Sequence, residues 1–191
     1  MNQFIIHFFL ISLLSGIFAD SPFLEKEHCV AWKTKKRLFL LQNLDPVGKN
    51  CKITTQATSS KEGFILKGVF PIKGFDSAEP TRDEHVFEIL QGPKQADLVF
   101  TSQPIKKEDL SKLANSNLSG TLLIGGSSTP LTFEVTAKKD GKETIYTGVA
   151  KTKFSQLGIA DLSVAGGVVT KVSDDLELHF QFYSSQIAGH P

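Results

Sequence analysis

Residues 130–138 read Pro-Leu-Thr-Phe-Glu-Val-Thr-Ala-Lys, in which Leu131, Phe133, Val135 and Ala137 alternate with Thr132, Glu134, Thr136 and Lys138. The same alternation returns at 175–182, where Leu176, Leu178, Phe180 and Phe182 alternate with Asp175, Glu177, His179 and Gln181. A strict period of two describes strands with one apolar and one wetted face. Several such strands follow one another between Leu118 and Phe182, broken by glycines at turns rather than by helices. That pattern points to a mainly β chain, an antiparallel sandwich or barrel. A closed barrel with an apolar interior is a container for an apolar ligand.

Working outward, Ile53–Thr58 and Phe64–Ile72 read as a hairpin around residues 59–63, and Asp97–Gln103 as a further strand. Leu118–Ile124, Pro130–Lys138, Thr144–Phe154 and Leu176–Tyr183 continue as a meander. Gly125-Gly126 and Asp140-Gly141 occupy tight turns, where a positive φ suits glycine. Helix is scarce. Thr81 is placed to cap a short helix running from Arg82 to about Leu90, with Arg82 and Asp83 in its first turn and Glu84 three residues after the cap. Ser111–Asn115 offers one further turn of helix. In residues 20–52, Val30-Ala31-Trp32 and Leu38–Leu41 are short apolar runs suited to the first strand or two, and Asp45-Pro46-Val47-Gly48 is a turn signal.

The opening residues differ in kind. From Phe4 to Phe18 there is no Asp, Glu, Lys or Arg, and small residues at Ser15, Gly16 and Ala19 precede an abrupt polar step at Asp20-Ser21-Pro22. This reads as a secretory signal over residues 1–19, cleaved after Ala19, although no Lys or Arg precedes its apolar core. The apolar run is short of the roughly 20 residues that span a bilayer. Removing 19 residues from 191 leaves 172, a length suited to one domain. With 21 basic and 20 acidic side chains, the net charge of +1 makes no electrostatic case for nucleic acid or an anionic membrane. The short basic clusters at Lys33–Arg37 and Lys106-Lys107 read as solvated faces. Cys29 and Cys51 are the two cysteines, and in an exported chain an even pair is most simply a disulfide. Two free thiols are the alternative. A metal reading would need Cys29, Cys51 and His28 to converge, and no Cys-x-x-Cys or paired-His spacing supports it.

Several pieces in sequence order resemble the YceI-like family. Asp76-Ser77 followed by Arg82-Asp83-Glu84-His85-Val86 resembles the family's step from a strand into an Arg-Asp-x-His helix start. Leu98-Val99-Phe100-Thr101-Ser102 resembles its next strand. Leu118 to Phe133, with Gly120-Thr121-Leu122, the Gly125-Gly126 turn and Thr129-Pro130, is similar to its most diagnostic stretch. Phe154–Ile159 and Asp174–Phe180 resemble its closing elements. The resemblance covers about Ile53 to Phe182. It implies a lipocalin-like antiparallel β-barrel with one or two short helices, a bacterial cell-envelope location (periplasmic or secreted), and a polyisoprenoid, quinone or other lipid as ligand. The chain then divides into a signal at 1–19, an N-terminal segment at 20–52, a YceI-like barrel at 53–183 and a tail at 184–191.

For such a barrel the candidate lining is Phe64, Leu66, Phe70, Leu98, Phe100, Leu122, Leu131, Phe133, Val135, Leu178, Phe180 and Phe182. A tail buried among them gains about 0.8 kcal/mol per CH₂, with little demand for polar recognition. The same side chains filling a dry core is the competing arrangement, in which the barrel works as a protein-interaction module of the envelope. Catalysis has little support. Asp83 and Glu84 are consecutive, so on a helix they diverge by about 100°, and Thr81, Arg82 and Asp83 read as a structural cap. His179, between Leu178 and Phe180, is expected on the outer face as a surface histidine. Gly-x-Ser-x-Gly and His-Glu-x-x-His are both absent from the sequence. No reaction, cofactor or metal is expected. The partner is an apolar small molecule or lipid rather than nucleic acid, with the membrane only as ligand source, and a homodimer is compatible with this reading.

Overall fold

In the computed structural model, which describes residues 21–38, 42–106, 116–159 and 170–190, the alternating segments pair into one eleven-stranded sheet. The strands are β1 (Cys29–Leu38), β2 (Gln42–Leu44), β3 (Val47–Asn50), β4 (Thr54–Ser60), β5 (Gly63–Pro71), β6 (Asp97–Ser102), β7 (Ser116–Ile124), β8 (Ser127–Asp140), β9 (Glu143–Lys153), β10 (Thr170–Tyr183) and β11 (Ile187–Ala188). One α-helix, α1 (Pro80–Ile89), joins β5 to β6 among the described residues. The spatial order is β11-β4-β5-β6-β7-β8-β9-β10-β1-β2, with β3 also paired to β1. All pairs are antiparallel except β11 with β4. The sheet curls into a lipocalin-like barrel, as the period-two pattern and the family resemblance lead one to expect.

Pairing register fixes which side chains face in. Val30, Trp32 and Thr34 of β1 lie opposite Phe180, Leu178 and Leu176 of β10. Leu118 lies opposite Phe133, and Gly148 lies opposite both Val135 and Phe180. Val30, Trp32, Leu118, Phe133, Val135, Leu176 and Phe180 form one apolar cluster with Phe70, Leu98, Phe100, Leu122, Leu131 and Phe182, and Leu178 packs against it. A one-residue slip would turn every one of them outward, so burial of one face specifies the register.

The N-terminal segment belongs to the barrel wall. β1 inserts between β10 and β3, and Cys29 and Cys51 form a disulfide across a sequence separation of 22. Beside that link His28 Nε2 lies 2.9 Å from Thr55 Oγ1, and the Thr55 hydroxyl donates to the Gln186 carbonyl. The residue entering β1 is thereby tied to β4 and to the turn before β11. Asp45 and Pro46 form the turn between β2 and β3, while Val47 and Gly48 are already strand. The tail is ordered into a short 3-10 turn at Ser184–Gln186 followed by β11.

Two expectations are corrected. Thr81 does not cap α1. Glu79 does, its carboxylate accepting from the N–H groups of Thr81 and Arg82, with Pro80 in the first helical position. Proline pre-sets the helical φ and lacks the N–H that a cap would have to satisfy, so the helix begins one residue before Thr81. Asp83 instead fixes the approach to the helix, accepting from the Ser77 N–H and hydroxyl at 3.0 and 2.6 Å. His179 is not the outward surface histidine expected: only 4% of it is exposed, and it is among the residues bordering the larger cavity of the barrel. It sits between Ala31 and Val149 of the flanking strands, and Nε2 lies 3.1 Å from the Glu177 carboxylate. The expected signal at 1–19 and the helical turn at Ser111–Asn115 lie outside the described residues.

Candidate functional site

The inward faces of β1, β5–β8 and β10, with α1 laid across one end, border a cavity of about 160 Å³ whose lining is mostly apolar. Of the residues singled out from the sequence, Leu66, Phe70, Leu98 and Phe100 contribute from β5 and β6. Leu122, Leu131 and Phe133 contribute from β7 and β8, and Leu178, Phe180 and Phe182 from β10. Phe64 and Val135 line a second, smaller cavity of about 40 Å³ at the other end, where Ile187 and His190 of the tail meet them. Leu66, Leu118, Phe180 and Phe182 border both cavities, so one wall of side chains separates them. Phe180 stacks on Phe182 at 4.5 Å and meets Phe133 edge-on at 5.1 Å, and Phe133 in turn meets Phe100 at 5.5 Å.

Glycines in the wall make room for these rings. A Cβ on Gly148 would lie 2.1 Å from the Phe180 ring, and one on Gly48 would lie 2.4 Å from the Trp32 indole. Each ring is therefore seated close against the strand backbone at that glycine. That keeps a barrel with many aromatic side chains from filling itself.

The sequence reading did not include Trp32, Arg82 and His85 in the lining. Trp32 is 9% exposed and belongs to the inward face of β1. Arg82, His85, Val86 and Ile89 follow the i, i+3, i+4, i+7 spacing that puts residues on one helix face, and that face borders the cavity. This spacing was available in the sequence as a second meaning of the Arg-Asp-x-His start. Asp83 lies off this face. Among the described residues, four buried side-chain polar atoms have no hydrogen-bond partner: Trp32 Nε1, Arg82 Nε, His85 Nε2 and Ser116 Oγ. The first three belong to residues lining the larger cavity.

Elsewhere the buried polar groups are matched. Asn50, fully buried, donates to the Pro71 carbonyl and accepts from the Lys52 N–H, and Thr34 donates to the Asp175 carbonyl. The Tyr183 N–H donates to His28 Nδ1, which requires that nitrogen to be unprotonated, and burial holds the His28 pKa below its ordinary value against the opposing charge of Glu143. Burial lowers the His179 pKa as well, with Glu177 acting against it. Glu27, Cys29 and Cys51 cluster closely enough to hold a cation, but both sulfurs are committed to the disulfide.

The sequence matches the family model described as YceI-like domain over residues 43–183. This protein belongs to the YceI-like family. Its fold is similar to that of Burkholderia cenocepacia BcnA, with a TM-score of 0.61 at 16% identity, covering 81% of this chain and 95% of that one. It is also similar to a polyisoprenoid binding domain from Saccharophagus degradans implicated in plant cell wall breakdown, with a TM-score of 0.53 at 10% identity, covering 81% and 92%. The Campylobacter jejuni YCEI protein aligns with a TM-score of 0.52 at 17% identity, covering 94% and 97%. At such identities the likeness is one of fold. No match is found among curated proteins. The YceI-like match starts at residue 43, so β1, which completes the wall beside β10 and contributes Trp32, lies outside it.

Proposed function

We propose that this YceI-like protein binds an amphiphile with a long apolar tail, such as a polyisoprenoid, quinone or other lipid, and carries or sequesters it without chemical change. We place it, on the character of residues 1–19, in the periplasm or outside the cell. The observation that carries the reading is the apolar cavity between α1 and the barrel wall. The polyisoprenoid-binding description of a structural neighbour supports it. Apolar burial is the driving force. An apolar cavity of about 150 Å³ holds benzene, so this one accepts a ring or about six carbons, worth about 5 kcal/mol at 0.8 kcal/mol per CH₂. A longer tail advances by displacing Phe180 and Phe182 toward the second cavity.

Trp32 is the single tryptophan of the chain and borders the cavity, so its emission reports on filling. Titration with a long-chain quinone is expected to quench that emission with saturation at one ligand per chain. Emission that stays unchanged up to the solubility limit would favour a filled core and a protein-interaction role.

A further inference from the structure

The side chains with polar atoms that border the cavity are Trp32, Thr34, Arg82, His85 and His179. Thr34 and His179 are matched by Asp175 and Glu177, whereas Trp32, Arg82 and His85 each have a buried nitrogen with no partner. Leaving a buried donor unmatched is unfavourable, and folded proteins do so rarely. The three belong to one end of the barrel. Arg82 and His85 are three apart on α1 and so neighbours on its surface. Trp32 lies over Gly48, and the next residue, Lys49, makes a backbone bridge to Asp76 in the segment leading into α1. The helix start is thereby pinned beside the strand on which the indole rests.

We infer that Trp32, Arg82 and His85 form a polar head site at the α1 end of the cavity, which selects an amphiphile bearing a neutral carbonyl-type oxygen. The inference rests on the binding reading above and adds the class of head group. An indole nitrogen can only donate, as can the guanidinium, so the complementary group is an acceptor. A ring nitrogen of His85 can donate or accept according to tautomer, which also suits an amide N–H or a hydroxyl beside the carbonyl. Charge narrows the class further. Arg82 is the one cation of the site, and Glu79 already stands 3.9 Å from its Nε. A phosphate or diphosphate would bring more than one negative charge against a single arginine and beside the Glu79 carboxylate, at the edge of an apolar chamber that stabilises charge poorly. A quinone, amide or ester head brings none.

The test is displacement of a fluorescent apolar probe from the full mature chain by three ligands sharing one tail: hexadecane, hexadecanamide and hexadecyl phosphate. The site predicts that the amide binds at least about tenfold more tightly than the alkane, through two or more hydrogen bonds. It also predicts that the phosphate gains nothing over the amide. In Trp32→Phe, which keeps an aromatic ring and removes the N–H, the ratio of amide to alkane affinity falls about fivefold. Arg82→Met lowers the same ratio. A ratio is insensitive to a general loosening of the barrel, and thermal melts of both variants check that they fold. Equal binding of amide and alkane, or a ratio unchanged in both variants, overturns the head site while leaving the cavity reading intact. Tighter binding of the phosphate overturns the neutral-head assignment. Failure of all three ligands to displace the probe overturns the binding reading and this inference together.

Discussion

His28 shows how one residue links chemistry to the fold. Its ring joins β1 to β4 through Thr55, accepts from the Tyr183 backbone, and stacks at a tilt on Phe182 at 5.0 Å. Burial lowers its folded pKa below the ordinary value near 6.5. The unfolded chain therefore takes up the proton first, so the stability His28 provides is complete above about pH 6.5 and is lost as pH falls through the lower folded value. Burial shifts His179 in the same direction, so both act over the same window. The melting temperature is expected to drop between pH 7.5 and 5, and His28→Gln, with one of the two groups removed, should show a shallower drop. An identical slope in the variant would contradict this role. Glu143 acts in a separate, more acidic window. Hydrogen bonds from Ser184 and Ser185 hold its carboxyl at about 2, so its contribution is lost only as pH falls from about 4.5 toward that value. For His179, alternation with Leu178 and Phe180 was legible in the sequence. Its burial was not, because the alternation of one strand says nothing about how closely Ala31, Val149 and Glu177 pack around it.

At the scale of elements, legibility followed one-sidedness. β7 to β9 have one buried and one more exposed face, and their period of two could be read directly. β10 shows the same period in its residue types, although His179 to Tyr183 are buried in succession. β1 could not be read so cleanly, because Cys29, Val30, Ala31 and Trp32 are buried in succession and erase the alternation. The cap of α1 was misread at Thr81 since the first-position Pro80 outranks a capping threonine in setting the start. The cavity face of α1 was hidden because Arg82 and His85 are polar residues doing an inward task. The disulfide anchors β1, the element that supplies Trp32. For the 22-residue separation of Cys29 and Cys51, loop closure predicts that reduction lowers unfolding stability by about 3 kcal/mol. A denaturant midpoint unchanged by reductant would refute that. Close approach of ring to strand gives a second expectation. Gly148→Ala puts a methyl 2.1 Å from the Phe180 ring and forces the ring into the lumen. Overpacking of this kind costs about 1–3 kcal/mol, seen as a lower melting temperature, and binding of long-tailed ligands should weaken with it.

For the whole molecule, the sheet is a wall, the helix a cover, and the tail a floor, with Phe180 and Phe182 dividing the space within. The fold of this arrangement was legible in the sequence. Whether the interior was hollow was not, since the same apolar residues describe a filled core and a chamber equally well; the strand glycines at 48, 68, 120 and 148, with the rings they seat, are visible only in the structure. A two-chamber lumen predicts a break in the dependence of affinity on tail length. Amides of increasing length should gain about 0.8 kcal/mol per carbon until the first cavity of about 160 Å³ is filled, then less per carbon as the rings are displaced. A single unbroken slope to sixteen carbons would mean that the rings offer no barrier. The most direct test of the central claim is native mass spectrometry of the protein purified from its own host, before and after organic extraction. A chamber for an amphiphile predicts a discrete excess mass of one molecule per chain that extraction removes and re-addition restores. A bare-chain mass, with no uptake after incubation with isoprenoid or quinone lipids, would contradict it.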